Sequence, residues 1–170
     1  LKKDERRKKI LELLSQSQKE LSGKYLASRF NVTRQVIVQD ISILKSQGHN
    51  ITSTTRGYLL NEKERKGVKK VVAVKHFVDR IREELQCVVE NGGEVIDVIV
   101  EHPLYGEIRG NIAVKTMDDV EKFMSAFKTS NATPLLSLSN GVHLHTIMTE
   151  DEETMEKVLE ALDKNHFLLK

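Results

Sequence analysis

The chain of 170 residues has a single cysteine, Cys87, so no intrachain disulfide can form and no cysteine-based zinc finger can assemble. Cys87 sits beside Val88 and Val89 in a predicted helix, where it reads as a packing residue. No apolar run approaches the roughly 18 residues that a membrane-spanning helix needs. The opening LKKDERRKK is too charged for a secretory signal. A cytoplasmic protein with no membrane partner is the expectation. The common catalytic signatures are missing as well: there is no Ser/His/Asp spacing and no glycine-rich phosphate loop, and no general base stands beside the candidate ligands found below. The chain does not read as an enzyme.

Its hydrophobic content of 39% and charged content of 31% suit a globular protein of one ordinary domain or two small ones. The small net charge of +2 hides an asymmetry. Residues 1–62 carry 12 Lys and Arg against 6 Asp and Glu, and the remainder carries 15 against 19. Two regions of opposite charge suggest two jobs, and a basic N-terminal module fits nucleic-acid binding.

The apolar pattern is more specific than the charge. DERRKKILELLSQ (4–16) reads as a helix with Ile10, Leu11, Leu13 and Leu14 on its buried side. Ser22 caps a short second helix, SGKYLASRF, with Tyr25, Leu26 and Phe30 on one stripe. Thr33 caps a third, TRQVIVQDISILKSQG, in which Ile37, Ile41 and Leu44 keep helical spacing up to Gly48. HNITSTTRGYLL then offers a hairpin around residues 54–57. The segment predicts a winged helix-turn-helix over 1–62, with the start of the third helix in the major groove and the wing along the backbone. Arg34, Gln35 and Gln39 stand off the buried stripe and can reach base edges. Thr33 can contact phosphate, and Arg56 on the wing can reach phosphate or a narrow minor groove. Val36 and Val38 lie off the stripe too, where they either meet thymine methyl groups or, the favoured expectation, are partly buried against the first helix.

A charged stretch, 63–70, reads as a linker, and 71–170 as a second domain. VVAVKH (71–76) is a β-run. A helix capped by Asp79 follows, with Val78, Ile81, Leu85, Val88 and Val89 inward and a stop at Gly92-Gly93. EVIDVIVEH (94–102) and GEIRGNIAV (106–114) are strands around a turn, and Thr116 starts a helix carrying Val120, Phe123, Met124 and Phe127. LLSLS and VHLHTIM flank Asn140-Gly141, the strongest short hairpin signal. A last helix (150–163) carries Met155, Val158, Leu159 and Leu162, and HFLL suits an edge strand. Three one-striped helices and a mostly antiparallel sheet make an α+β protein whose second half is an open-faced sandwich.

In VHLHTIM alternate side chains share a face, so His143 and His145 point the same way. Val142, Leu144 and Met148 should meet the helices, which leaves the two histidines on the uncovered face. Such a pair can hold a cation if other donors arrive. His76 ends the first strand and Glu83 or Glu84 lies on the second turn of the next helix. Three imidazoles and a carboxylate suit Zn²⁺, Ni²⁺ or Fe²⁺ rather than Ca²⁺ or Mg²⁺.

The segments TRQVIVQDISILKSQG, RGYLL, VAVKH, DVIVEHPLYGEIRG and GVHLHTI, in this order, make the whole chain similar to the nicotinate-responsive repressors of NAD biosynthesis and transport genes. These join a biotin-repressor-type winged helix to a three-histidine (3H) domain. The resemblance implies an HPr-like open-faced α/β sandwich over 71–170 and homodimers bound to palindromic double-stranded operators. It also implies one divalent transition metal per subunit, held by His76, Glu84, His143 and His145. Where the family commonly caps its recognition helix with Ser this chain has Thr33, which keeps the cap, and the start at Leu1 reads as a trimmed N-terminus.

Nicotinate, a flat pyridine with a carboxylate, is then the expected corepressor. The expectation is that the metal takes the ring nitrogen while His102, Tyr105 or Arg109 meets the carboxylate. The rival is a metal-responsive repressor in which the ion itself is the signal and there is no organic effector.

Overall fold

The structure, a computed structural model, describes residues 1–61 and 66–170. The chain divides into two compact units, Leu1–Arg65 and Lys66–Lys170.

The first unit contains helices α1 (Lys3–Gln16), α2 (Gly23–Phe30) and α3 (Arg34–Ser46), followed by a hairpin of β1 (Ile51–Thr54) and β2 (Gly57–Leu60). The caps are as expected: the Ser22 hydroxyl accepts the Tyr25 N–H at 3.0 Å and the Thr33 hydroxyl the Val36 N–H at 3.3 Å. Asn31 turns the chain between α2 and α3 in the left-handed conformation. Ile10, Leu14, Leu26, Ile37, Ile41, Leu44 and Ile51 form the core, with Leu11 and Leu13 half-buried against it. Tyr25 departs from the expected stripe and is exposed, since Leu26 and Ala27 supply the buried face of this two-turn helix. Val36 is half-buried and Val38 exposed. At Gly57 (φ +138°) a Cβ would lie 2.3 Å from the Leu21 carbonyl oxygen, so only glycine lets the wing close on the segment before α2.

One polar device ties α1 to α3. The Asp40 carboxylate, buried on α3, accepts from Arg6 Nε at 2.6 Å and Arg7 Nε at 3.1 Å. Asp40→Ala would strand the buried Arg6 guanidinium, and a broken buried pair costs about 3–5 kcal/mol. Chemical denaturation followed through this unit should report a loss of that size; a loss under about 1 kcal/mol would mean the pair is solvated like an ordinary surface bridge.

The second unit contains β3 (Val68–Lys75), α4 (Ile81–Glu90), β4 (Glu94–His102), β5 (Gly106–Val114), α5 (Met117–Ser130), β6 (Val142–Thr149) and α6 (Glu152–Lys164). The strands form one antiparallel sheet in the order β3-β6-β4-β5, and the helices share a core with one of its faces through Leu85, Val88, Val120, Met155, Val158 and Leu162. α5 has the reciprocal cap of Thr116 and Asp119. Strand β3 begins at Val68, so residues 68–70 of the expected linker are strand; its residues 63–65 lie outside the described ones. Asp79 does not cap α4: residues Val78–Arg80 form a 3₁₀ turn in front of it, and Val78 is exposed.

Two expectations fail for related reasons. Leu135–Ser139 is a 3₁₀ helix, not the first strand of a hairpin. Asn140 and Gly141 do take positive φ, but both sides of β6 are already paired, to β3 and β4, which leaves no edge for 135–139. The second failure is the facing of β6. His143 and His145 share a face, but it is the helix-covered one, and Val142 and Leu144 are on the other. The C-terminal segment lies on the free edge of β3 as expected: Leu168 bridges Val74, and the Leu169 N–H donates to the Ala73 carbonyl.

Candidate metal centre and nucleic-acid interface

The inward face of β6 carries two imidazoles where the strand rule puts aliphatic side chains, and the neighbouring elements explain how they are tolerated. Beside them on the same face are Val72 and Val74 of β3 and Val98 of β4, each directly paired with one of the histidines. His76 follows the end of β3, and its backbone N–H donates to the Gly141 carbonyl. Glu84, in the first turn of α4, comes down over all three rings. The four side chains are between 2% and 4% exposed.

Each histidine is oriented by the same device. Nδ1 of His76 lies 2.8 Å from the Phe77 carbonyl oxygen, Nδ1 of His143 2.9 Å from that of Gly141, and Nδ1 of His145 2.7 Å from that of Asp97. A carbonyl only accepts, so each ring carries its proton on Nδ1 and turns Nε2 to the centre. There Glu84 meets all three: one carboxylate oxygen contacts His76 Nε2 and is 3.6 Å from His143 Nε2, and the other is 2.7 Å from His145 Nε2. His76 Nε2 is nevertheless a buried polar atom with no hydrogen-bond partner. Among the described residues these four form a cluster, with ligand atoms all within 4.8 Å of one another, that could hold a metal ion.

The electrostatics suit a cation. Burial pushes the Glu84 carboxyl up, but the His145 charge, the contact with His145 and the neighbouring imidazoles outweigh it, and Glu84 ends below the carboxylate range. Burial lowers His76 below the usual imidazole value despite Glu84. For His145 burial also acts downward, yet the Glu84 charge prevails and raises it. One buried carboxylate and three imidazoles that turn Nε2 to a common centre make a donor set for a borderline transition metal.

A small pocket of about 50 Å³ opens from the cluster into the core of the second unit. Its apolar walls are Val98, Ile112, Phe123, Pro134, Leu135 and Leu136. His102, Tyr105 and Arg109 do not line it. His102 accepts the Leu104 and Tyr105 N–H groups through Nδ1 and stacks on the exposed Tyr105 ring at the β4–β5 turn. Arg109 lies on the far face, ion-paired with Asp97. It reaches the cluster only indirectly, since the Asp97 carbonyl holds His145 while its carboxylate takes Arg109 and the Thr146 N–H. Sequence reading overlooked Gly141, whose carbonyl serves both His143 and the backbone of His76; its hairpin signature masked that role.

In the first unit Thr33, Arg34, Gln35 and Gln39 are exposed on the first two turns of α3. A groove beside them runs between Lys24 and Arg34 on one side and wing residues Ser53, Thr54 and Tyr58 on the other. Arg56 is drawn back by an ion pair with Glu20 at 2.5 Å, so it does not extend from the wing tip.

Two family profiles match: an HTH domain over residues 6–59 and a 3H domain over 69–170. The chain is 52% identical over 167 residues to a protein of Thermotoga maritima named probable transcription repressor NiaR, covering 98% of this chain and 95% of that one. It is 38% identical over 168 residues to the transcription repressor NadR of Bacillus subtilis, covering 97% and 93%. An uncharacterized protein of Methanothermus fervidus is 27% identical over 104 residues, 58% of this chain and 16% of its own.

Proposed function

Since the chain belongs to the family of transcription repressors in which an HTH domain precedes a 3H domain, and is therefore no enzyme, we propose that it represses genes of NAD biosynthesis and niacin transport and salvage with nicotinic acid as corepressor. In this reading the protein is a cytoplasmic homodimer on a palindromic operator. The start of α3 enters the major groove, where Arg34, Gln35 and Gln39 meet base edges and Thr33 a phosphate. Arg56 contributes less, because Glu20 neutralises it. No helix among the described residues is long and apolar enough to cross a membrane.

The observation that carries the sensing role is the apolar pocket leading to three converging Nε2 atoms and one carboxylate. His76, Glu84, His143 and His145 would hold one Zn²⁺, Ni²⁺ or Fe²⁺ per subunit, which supplies a Lewis-acidic positive charge at the pocket's inner end. The pocket walls offer no cationic side chain of their own. The carboxylate of nicotinate therefore belongs at the metal end, with the pyridine ring against Phe123, Leu135 and Leu136. This reverses the orientation expected from sequence, because His102, Tyr105 and Arg109 are not there to receive the acid.

Operator binding titrated with nicotinate, with and without a chelator, tests this. Nicotinate should tighten binding by about 5- to 150-fold, the usual span of a coupling free energy. Chelator should abolish the effect, and nicotinamide, which lacks the carboxylate, should be at least about tenfold weaker, the factor that 1.4 kcal/mol gives. Metal alone giving the full effect would establish instead the repressor without an organic effector.

A further inference from the structure

The exposed face of α3 is polar except at Val38. Arg34, Gln35, Gln39, Ser42 and Lys45 share that face, and among them stands this one aliphatic side chain, 38% exposed. Val38 belongs neither to the core of the first unit nor to the half-buried residues packed on it. The helix itself does not call for a valine there. A β-branched residue is a poorer helix former than alanine, glutamine or lysine, and in the free chain its methyl groups stand in water. The neighbours define the position. Val38 follows Arg34 by four residues and Gln35 by three, so these side chains adjoin on the helix surface, and Gln39 comes next. Ser42, a turn further on, donates its hydroxyl to the Val38 carbonyl at 2.8 Å, which holds that hydroxyl to the backbone.

From this placement we infer that Val38 reads the C5-methyl group of a thymine in the operator and is a specificity-determining residue of the repressor. That methyl is the apolar group which base edges present in the major groove, and cytosine lacks it. The valine is prepared for such a partner. In a helix its χ1 keeps to one rotamer about 90% of the time, so its methyl groups are presented in place and lose little freedom on binding. The residues around it suit the same base pairs. A glutamine can bond adenine through N6 and N7, and Gln35 and Gln39 lie on either side of Val38 along the helix. Valine on thymine and glutamine on adenine together select a step of A·T pairs. The inference rests on the proposed entry of α3 into the major groove, and it adds a contact that neither charge nor hydrogen bonding supplies.

Binding of the full chain, with Ni²⁺ and nicotinate present, to a duplex that it selects from random sequence tests this. Each thymine is replaced in turn by deoxyuridine, which removes the methyl group and keeps the base pair. At one thymine position the unaltered chain should lose about fourfold in affinity, the equivalent of the roughly 0.8 kcal/mol that one buried methyl group is worth. Val38→Ala, which favours the helix, should bind the thymine duplex at least about fourfold more weakly, with an unchanged salt slope because no counterion is involved. It should no longer respond to uracil at that position, so the two losses do not add. A loss in Val38→Ala that is the same on thymine and uracil duplexes at every position would overturn the contact and place the valine against protein. An unaltered chain indifferent to every uracil would overturn it too, while leaving the entry of α3 into the groove intact. That entry is itself overturned if the selected sequence is unchanged in both Arg34→Ala and Gln35→Ala, or if the chain selects no sequence at all.

Discussion

Glu84→Gln should weaken binding of a divalent transition ion by more than about 100-fold, the upper range reached when only a supporting group around a metal ligand is lost. The substitution keeps shape and hydrogen-bonding capacity, so the sheet and α4 should stay folded. It removes the one negative charge among three imidazoles that all direct Nε2 inward. Without it a dication would meet neutral donors alone in a buried site. Calorimetric titration of metal-stripped protein measures this directly, and an affinity within a few-fold of the unaltered chain would remove Glu84 from the ligand set. The same titration carries a pH signature. His145 is raised above its ordinary value by Glu84, and in the metal-free chain its Nε2 proton lies against that carboxylate. An ion must displace this proton, so affinity should fall as the pH drops through the raised His145 value and level off above it.

Arg34→Ala should reduce specific operator binding by about 5- to 150-fold, the equivalent of the 1–3 kcal/mol that a good base contact is worth. Arg34 is the first residue of α3, exposed, with its guanidinium stem against Gly23 of α2. That packing limits its freedom and aims it along the groove shared with Lys24. Gln35→Ala should act in the same direction with an unchanged salt slope, because a glutamine releases no counterion. Metal binding should be unaffected in both variants, and band-shift titrations on operator and on scrambled DNA separate lost specificity from lost affinity. If Arg34→Ala also impaired metal binding, the two units would not be the separable modules proposed.

The N-terminal unit was legible because its signals are local. Ser22 and Thr33 are caps three residues ahead of the N–H groups they accept, and the core stripe of α3 repeats with the helix. The ion pair of Arg56 was not legible, because its partner, Glu20, is 36 residues away and no local pattern announces it. In the second unit the strand pairing of His143 and His145 was legible from alternation, but the choice of face was not. Alternation says which residues share a side, and hydrophobicity decides which side goes in; at a functional site that second rule fails. Here Glu84 and three backbone carbonyls compensate the rings together, so the polar face of β6 is the buried one. The Asn140-Gly141 signal was right about backbone conformation and wrong about the partner, since strand order depends on residues far along the chain.

The three carbonyls that hold the imidazoles belong to separate stretches of the second unit: Phe77 after β3, Asp97 in β4 and Gly141 before β6. An ion bound at Nε2 would therefore tie together the ends of β3 and β6 and the middle of β4 through their backbones, and α4 through the Glu84 side chain, as a rivet would. Anything that binds only the folded state adds to its stability, by about 2.7 kcal/mol when free ligand is at 100 times its dissociation constant. The melting temperature of this domain should therefore rise as Zn²⁺, Ni²⁺ or Fe²⁺ is added to the metal-stripped chain, and its susceptibility to proteolysis should fall with it.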